Sequence, residues 1–128
     1  MQQLGGVRSK HGLRWKNRLI FNQAAPKYTA PLTDPRVVRI YLLLDPTEHS
    51  VRYVAAATNP AEHASRLRSW FVVRLNNWID SLKRQGKQPR VLIVGRVYPD
   101  NVPKAIRRWC GYLRGRRAEL FNLHGTRA

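Results

Sequence analysis

The chain has 128 residues, with 24 Lys and Arg against 7 Asp and Glu, for a formal net charge of +17. Its apolar share of 43% is enough for one packed core and excludes a wholly disordered chain. No apolar run reaches the roughly 20 residues of a membrane span, no signal-type apolar segment opens the chain, and the lone Cys110 excludes an internal disulfide or a cysteine zinc cluster.

Residues 1–35 read as an extended basic arm. Arg8, Lys10, Arg14, Lys16, Arg18 and Lys27 carry its charge, and Gly5, Gly6, Gly12, Pro26, Pro31 and Pro35 punctuate it. A short helix or strand is expected near Leu13–Phe21, with Trp15, Leu19, Ile20 and Phe21 as anchors. Arms of this composition commonly order on phosphate-rich partners, and a disordered tail is the alternative.

Residues 36–128 read as one compact domain. Val37–Leu44 is β-branched and apolar, as a buried strand is. The loop Asp45–His49 turns the chain, and Ser50–Ala57 returns as the second strand of a hairpin. Asn59 is placed to cap a helix, Pro60 fits its first position, and Glu62 fits a capping box. Ala64, Leu67, Phe71, Leu75, Trp78 and Leu82 then recur at helical spacing, with a break expected near Phe71–Asn76. Gly86 and Pro89 end this stripe. Arg90–Val97 reads as a third strand, in which Gly95 marks a bulge or a close backbone approach. A last helix restarts at Asn101 and Pro103, with Asp100 or Asn101 as its cap. Val102, Ile106, Trp109 and Leu113 form its inner stripe, and Gly115 its end. Leu120-Phe121-Asn122 closes the chain against the core. The order is β-β-α-(α)-β-α.

The charge points to a polyanion. Solubility asks for a net charge of only about 2–8. Each phosphate neutralised releases counterions, so affinity rises without any reading of sequence. Arg outnumbers Lys, and Arg forks onto phosphate oxygens. Lys104, Arg107, Arg108 and Arg114 lie partly along one side of the last helix, and Arg116 and Arg117 continue the charge beyond it. Arg68, and Lys83, Arg84 and Lys87 around the loop after the long stripe, add further phosphate contacts. The four histidines lack metal-ligand spacing, and no Ser-His-Asp or Cys-His arrangement is present. A membrane surface is not expected as partner, for want of a strongly amphipathic basic helix or a lipidation site.

Arg39-Ile40-Tyr41, Tyr53-Val54-Ala55, Thr58-Asn59-Pro60, Arg66-Leu67, Trp78-Ile79, Leu82–Pro89, Arg107-Arg108-Trp109 and Leu120-Phe121-Asn122 follow one another in order. This set resembles a GIY-YIG nuclease domain over about two thirds of the chain. The resemblance implies an α+β fold, a small three-stranded antiparallel sheet flanked by helices. It implies metal-dependent phosphodiester hydrolysis, with Mg²⁺ as cofactor. It places the two hairpin tyrosines at Tyr41 and Tyr53, the phosphate-stabilising helical arginine at Arg66 and the late supporting asparagine at Asn122. With a shorter loop, His63 takes the place of Arg66.

The departures bear on activity. Ala55 and Ala56 stand where the family has Gly and Lys, and Trp70 where His or Tyr is common. Ile106 stands where the family has its metal-binding glutamate, and an aliphatic side chain cannot ligate Mg²⁺. The expectation is therefore a degenerate, non-catalytic domain that binds the nucleic-acid backbone, DNA or RNA, in an intracellular ribonucleoprotein or a phage or mobile-element complex. The alternatives are an active Mg²⁺-dependent endonuclease with a relocated acid (Glu62, Asp80 or Asp100) and a subunit that holds an acidic protein partner.

Overall fold

The structure is a computed structural model that describes residues 24–69 and 72–122. The VRIYLLL run forms strand β1 (Val38–Leu44), and VRYVAAA forms β2 (Val51–Ala57). The reversal between them is built by Asp45. Its Oδ1 accepts from the backbone N–H of Thr47 at 2.8 Å and of Glu48 at 3.0 Å, and His49 takes a left-handed φ of 60°. RVLIVGRV forms β3 (Arg90–Val97). The sheet is antiparallel throughout, in the order β2-β1-β3. The protein is thus an α+β domain with a three-stranded sheet and helices on both faces.

β1 is central and buried on both sides, hence its unbroken apolar sequence. Ile40, Leu42 and Leu44 face one core, together with Val51, Val54 and Val97. Helix α3 (Val102–Gly115) covers that face with Ala105, Trp109, Cys110 and Leu113. Tyr41 and Leu43 point the other way, toward α1 (Pro60–Ser65) and α2 (Val73–Arg84), where Ala64, Leu67 and Trp78 pack against them.

Two bulges interrupt the ladders. Leu43 pairs with Tyr53 but Leu44 with Val51, so Arg52 is the extra residue in β2. Ile40 pairs with Gly95 but Tyr41 with Ile93, so Val94 is the extra residue in β3. A Cβ on Gly95 would lie 3.2 Å from the Tyr28 carbonyl oxygen, so the expected bulge and the expected close approach are both present.

α1 begins as expected, with the Asn59 side chain accepting from the Glu62 N–H at 3.3 Å and Pro60 in the first turn. The capping box does not form: no hydrogen bond joins the Glu62 carboxylate to the Asn59 N–H, and Glu62 is left exposed. The break in the long stripe comes earlier than expected. α1 stops at Ser65 and α2 starts at Val73. Asn76, inside α2, reaches back to hold the connection, accepting from Ser69 N–H at 2.9 Å and donating to Ser69 O at 2.6 Å. Gly86 ends α2 at φ 72°, as its sequence position predicts. α3 carries no side-chain cap from Asn101, and Asp100 sits in a 3-10 turn (Pro99–Asn101). Gly115 is the last residue of α3, while Arg117 takes the left-handed φ of 73°.

The described part of the expected arm runs along the outer edge of β3. Arg96 N–H donates to Tyr28 O at 2.8 Å and Ala30 N–H to Arg96 O at 3.1 Å, while Ala25 and Tyr28 join the α3-side core. Arg36 hydrogen-bonds Asp34 and holds its carboxyl well below the usual carboxylate range. Arg8, Lys10, Arg14, Lys16, Arg18 and the element expected near Leu13–Phe21 lie outside the described residues, as does Trp70. Among the described residues no helix is long and apolar enough to cross a membrane.

Candidate nucleic-acid interface

Tyr41 comes from the middle of β1 and is fully buried. Its hydroxyl lies 2.6 Å from His63 Nδ1, on the exposed face of α1. Burial disfavours the phenolate and pushes the Tyr41 phenol well above its usual value, with the neighbouring Tyr53 adding to the shift. Tyr41 therefore stays protonated, and the His63 tautomer sets which partner donates in this bond. Tyr53, half-buried, is also shifted upward by burial.

His63 lines an open cleft of about 300 Å³ with Thr58, Asn59, Glu62, Arg66 and Arg68. Arg66 is exposed there. The structure thus brings together Arg66 and, through His63, Tyr41. Arg68 is exposed too, and its guanidinium pairs with Asp80 at 2.6 Å.

Asn122 is turned inward. Its Oδ1 accepts from Val54 N–H at 2.8 Å and its Nδ2 donates to Val54 O at 2.8 Å. An amide side chain so placed pairs with the outer edge of β2 as a neighbouring strand would. Phe121 N–H extends the pairing to Arg52 O at 2.8 Å. Asn122 thereby holds the strand that carries Tyr53.

The Mg²⁺ implied by the resemblance does not fit these residues. Ile106 is partly buried and packs against the α3-side core. Glu62 is the one carboxylate lining the cleft, and Mg²⁺ needs several hard oxygen donors. Asp80 is committed to Arg68, and Asp100 lies in the turn before α3. Among the described residues no group of three His, Cys, Asp or Glu is placed to hold a metal.

The basic residues divide between the two faces of the sheet. Lys104, Arg107 and Arg108 are exposed on α3, which contains no Asp or Glu and gives them no ion pair. Lys83, Arg84 and Lys87 are exposed at the far end of α2, with Lys87 Nζ donating to Thr47 Oγ1 at 2.9 Å. Arg114 is only half-exposed and donates to the carbonyls of Asn122 and Leu120. Arg116 lies over the Tyr112 ring at 5.0 Å, and Arg117 is exposed. The α3 triad is thus the least neutralised cationic surface described.

Sequence reasoning gave His63 only as a fallback and did not single out Arg52, which the structure buries. A single Arg within an otherwise apolar strand was the available signal for Arg52. Cys110 is buried in the α3-side core. Desolvation raises its thiol to about 11. Thiol and phenol forms are favoured in the folded state, so their contribution to stability is full below the unfolded cysteine value and is lost as pH rises through the folded one. We expect the urea midpoint to start falling above about pH 9, and Cys110 to ignore thiol reagents until the protein unfolds. Rapid labelling of the native protein would contradict this burial.

Compared with known proteins, no family model, curated protein or solved structure matches the chain.

Proposed function

We propose that the protein binds the sugar–phosphate backbone of nucleic acid, DNA or RNA, and does not cut it. The observation that carries this reading is the net charge of +17 together with the unpaired Lys104, Arg107 and Arg108 on α3. Like charges at i, i+3 and i, i+4 destabilise a helix slightly, and a polyanion removes that cost. Exposed guanidinium and ammonium groups suit phosphate contacts, which position a protein without reading bases. The hairpin tyrosines and Arg66 then belong to a GIY-YIG-like site whose metal ligand has been replaced by Ile106. A larger nucleoprotein, a ribonucleoprotein or a complex of phage or mobile-element origin, is the setting this reading fits.

The endonuclease alternative draws on one observation. Glu62 is free of the expected capping bond and lines the same cleft as His63 and Arg66. Labelled duplex DNA, single-stranded DNA and structured RNA, each incubated with Mg²⁺ or Mn²⁺, separate the two. We expect salt-sensitive gel shifts and intact substrate. Metal-dependent cutting that disappears in Arg66→Ala and Glu62→Gln would overturn the non-catalytic reading. Displacement by heparin but by no oligonucleotide would turn the surface toward an acidic protein partner.

A further inference from the structure

Arg52 is the extra residue of the β2 bulge, and its side chain lies against Phe121 of the C-terminal segment. The residue is only 4% exposed. Its Nε and Nη1 are buried and have no hydrogen-bond partner, and no carboxylate pairs with it. Its guanidinium carbon sits 4.3 Å over the Phe121 ring. Arg74 approaches the same ring, its guanidinium carbon at 5.4 Å. Two cations are therefore gathered on one aromatic ring, where each raises the cost of the other.

Arg74 adds a second conflict. It lies in the first turn of α2, which has no acidic residue and no side-chain cap. That end of a helix favours anions and disfavours cations. Phe121 packs with Val72, Leu75 and Ile79, which fixes the ring beside this helix start. Burial pushes the Arg52 guanidinium down, and Glu119, Asp45 and Glu48 offset this only through space, without a hydrogen bond to it. A buried guanidinium beside a second one, at an uncapped helix start and with carboxylates acting on it only through space, still has no anion in hydrogen-bond contact.

We infer that Arg52 and Arg74, held over Phe121, seat the terminal phosphate monoester of a nucleic-acid strand. The inference rests on the nucleic-acid reading and adds an end specificity to it. Recess decides between terminal and internal phosphate. An internal phosphodiester is flanked by sugars on both sides, which keeps its oxygens from Arg52, a residue only 4% exposed. A terminal monoester projects from the strand and carries about −1.5 to −2 charges, which two guanidiniums neutralise.

The test compares one short single strand in three forms: 5′-phosphorylated, 3′-phosphorylated, and hydroxyl-ended at both termini. Fluorescence anisotropy gives the dissociation constants for the full chain. One phosphorylated form is expected to bind on the order of tenfold tighter than the hydroxyl form, and it identifies the end that is read. Arg52→Met and Arg74→Met each reduce that ratio to about twofold or less. Lys83→Met weakens all three forms and keeps the ratio, which separates a seat from general attraction. Arg74 is exposed, so its variant carries the test even if Arg52→Met fails to fold. Equal binding of all three forms by the wild type, or an unchanged ratio in Arg74→Met, overturns the seat and leaves backbone binding intact. Absence of binding by every form defeats the nucleic-acid reading itself, and the seat with it.

Discussion

Asn122→Ala is expected to lower stability by about 2–5 kcal/mol, because it strands the N–H and the carbonyl of buried Val54 without partners. For a domain of this size that is a fall in Tm on the order of 10–30 °C. Thermal unfolding followed by circular dichroism measures it. The effect discriminates between two roles for one residue. A supporting residue of a vestigial nuclease site would be lost with little change in Tm. A clamp on the outer edge of β2 cannot be. Asn122→Asp keeps the acceptor for Val54 N–H but loses the donor to Val54 O and buries a charge, so it is expected to be as damaging. A Tm within about 2 °C of the wild type would contradict the clamp.

The second large effect is on binding. A triple variant, Lys104→Gln, Arg107→Gln and Arg108→Gln, removes the least neutralised cationic surface described without touching the core. If each side chain neutralises one phosphate, the slope of log K against log salt falls by about 3. Affinity at moderate salt then drops on the order of 10²-fold, across all sequences alike. Folding stability should hold or rise slightly, because like-charge crowding on α3 is relieved. The matching triple at Lys83, Arg84 and Lys87 asks whether the strand also reaches the other face of the sheet. A normal slope in the α3 variant would move the interface away from α3.

The sheet and its helices were legible in the sequence because both depend on local pattern. Val38–Leu44 is apolar at every inner position of both faces, and Trp109 and Leu113 keep helical spacing with Ile106. Asn59-Pro60 announced α1, and Gly86 announced the end of α2. Boundaries failed where side chains act over longer range. Nothing local tells that Asn76 reaches back to Ser69, or that Glu62 forgoes the Asn59 N–H. The site was legible in part for the same reason. Tyr41 and Arg66 were singled out in the sequence, yet the link from Tyr41 to His63 spans the sheet and the first helix. Arg52 was hidden because a bulge interrupts the strand period there. The division of Lys and Arg between two faces likewise follows from topology, since charge clusters in sequence carry no side of the sheet.

The central claim is that this surface takes nucleic-acid phosphate. It is tested most directly by anisotropy titration of duplex DNA, single-stranded DNA and structured RNA between about 50 and 200 mM salt. The account predicts tight binding to at least one of them at low salt, weakening by about 10³–10⁵ over that range if 6–10 phosphates are neutralised. Failure to bind any of the three at low salt, or an affinity indifferent to salt, would contradict it.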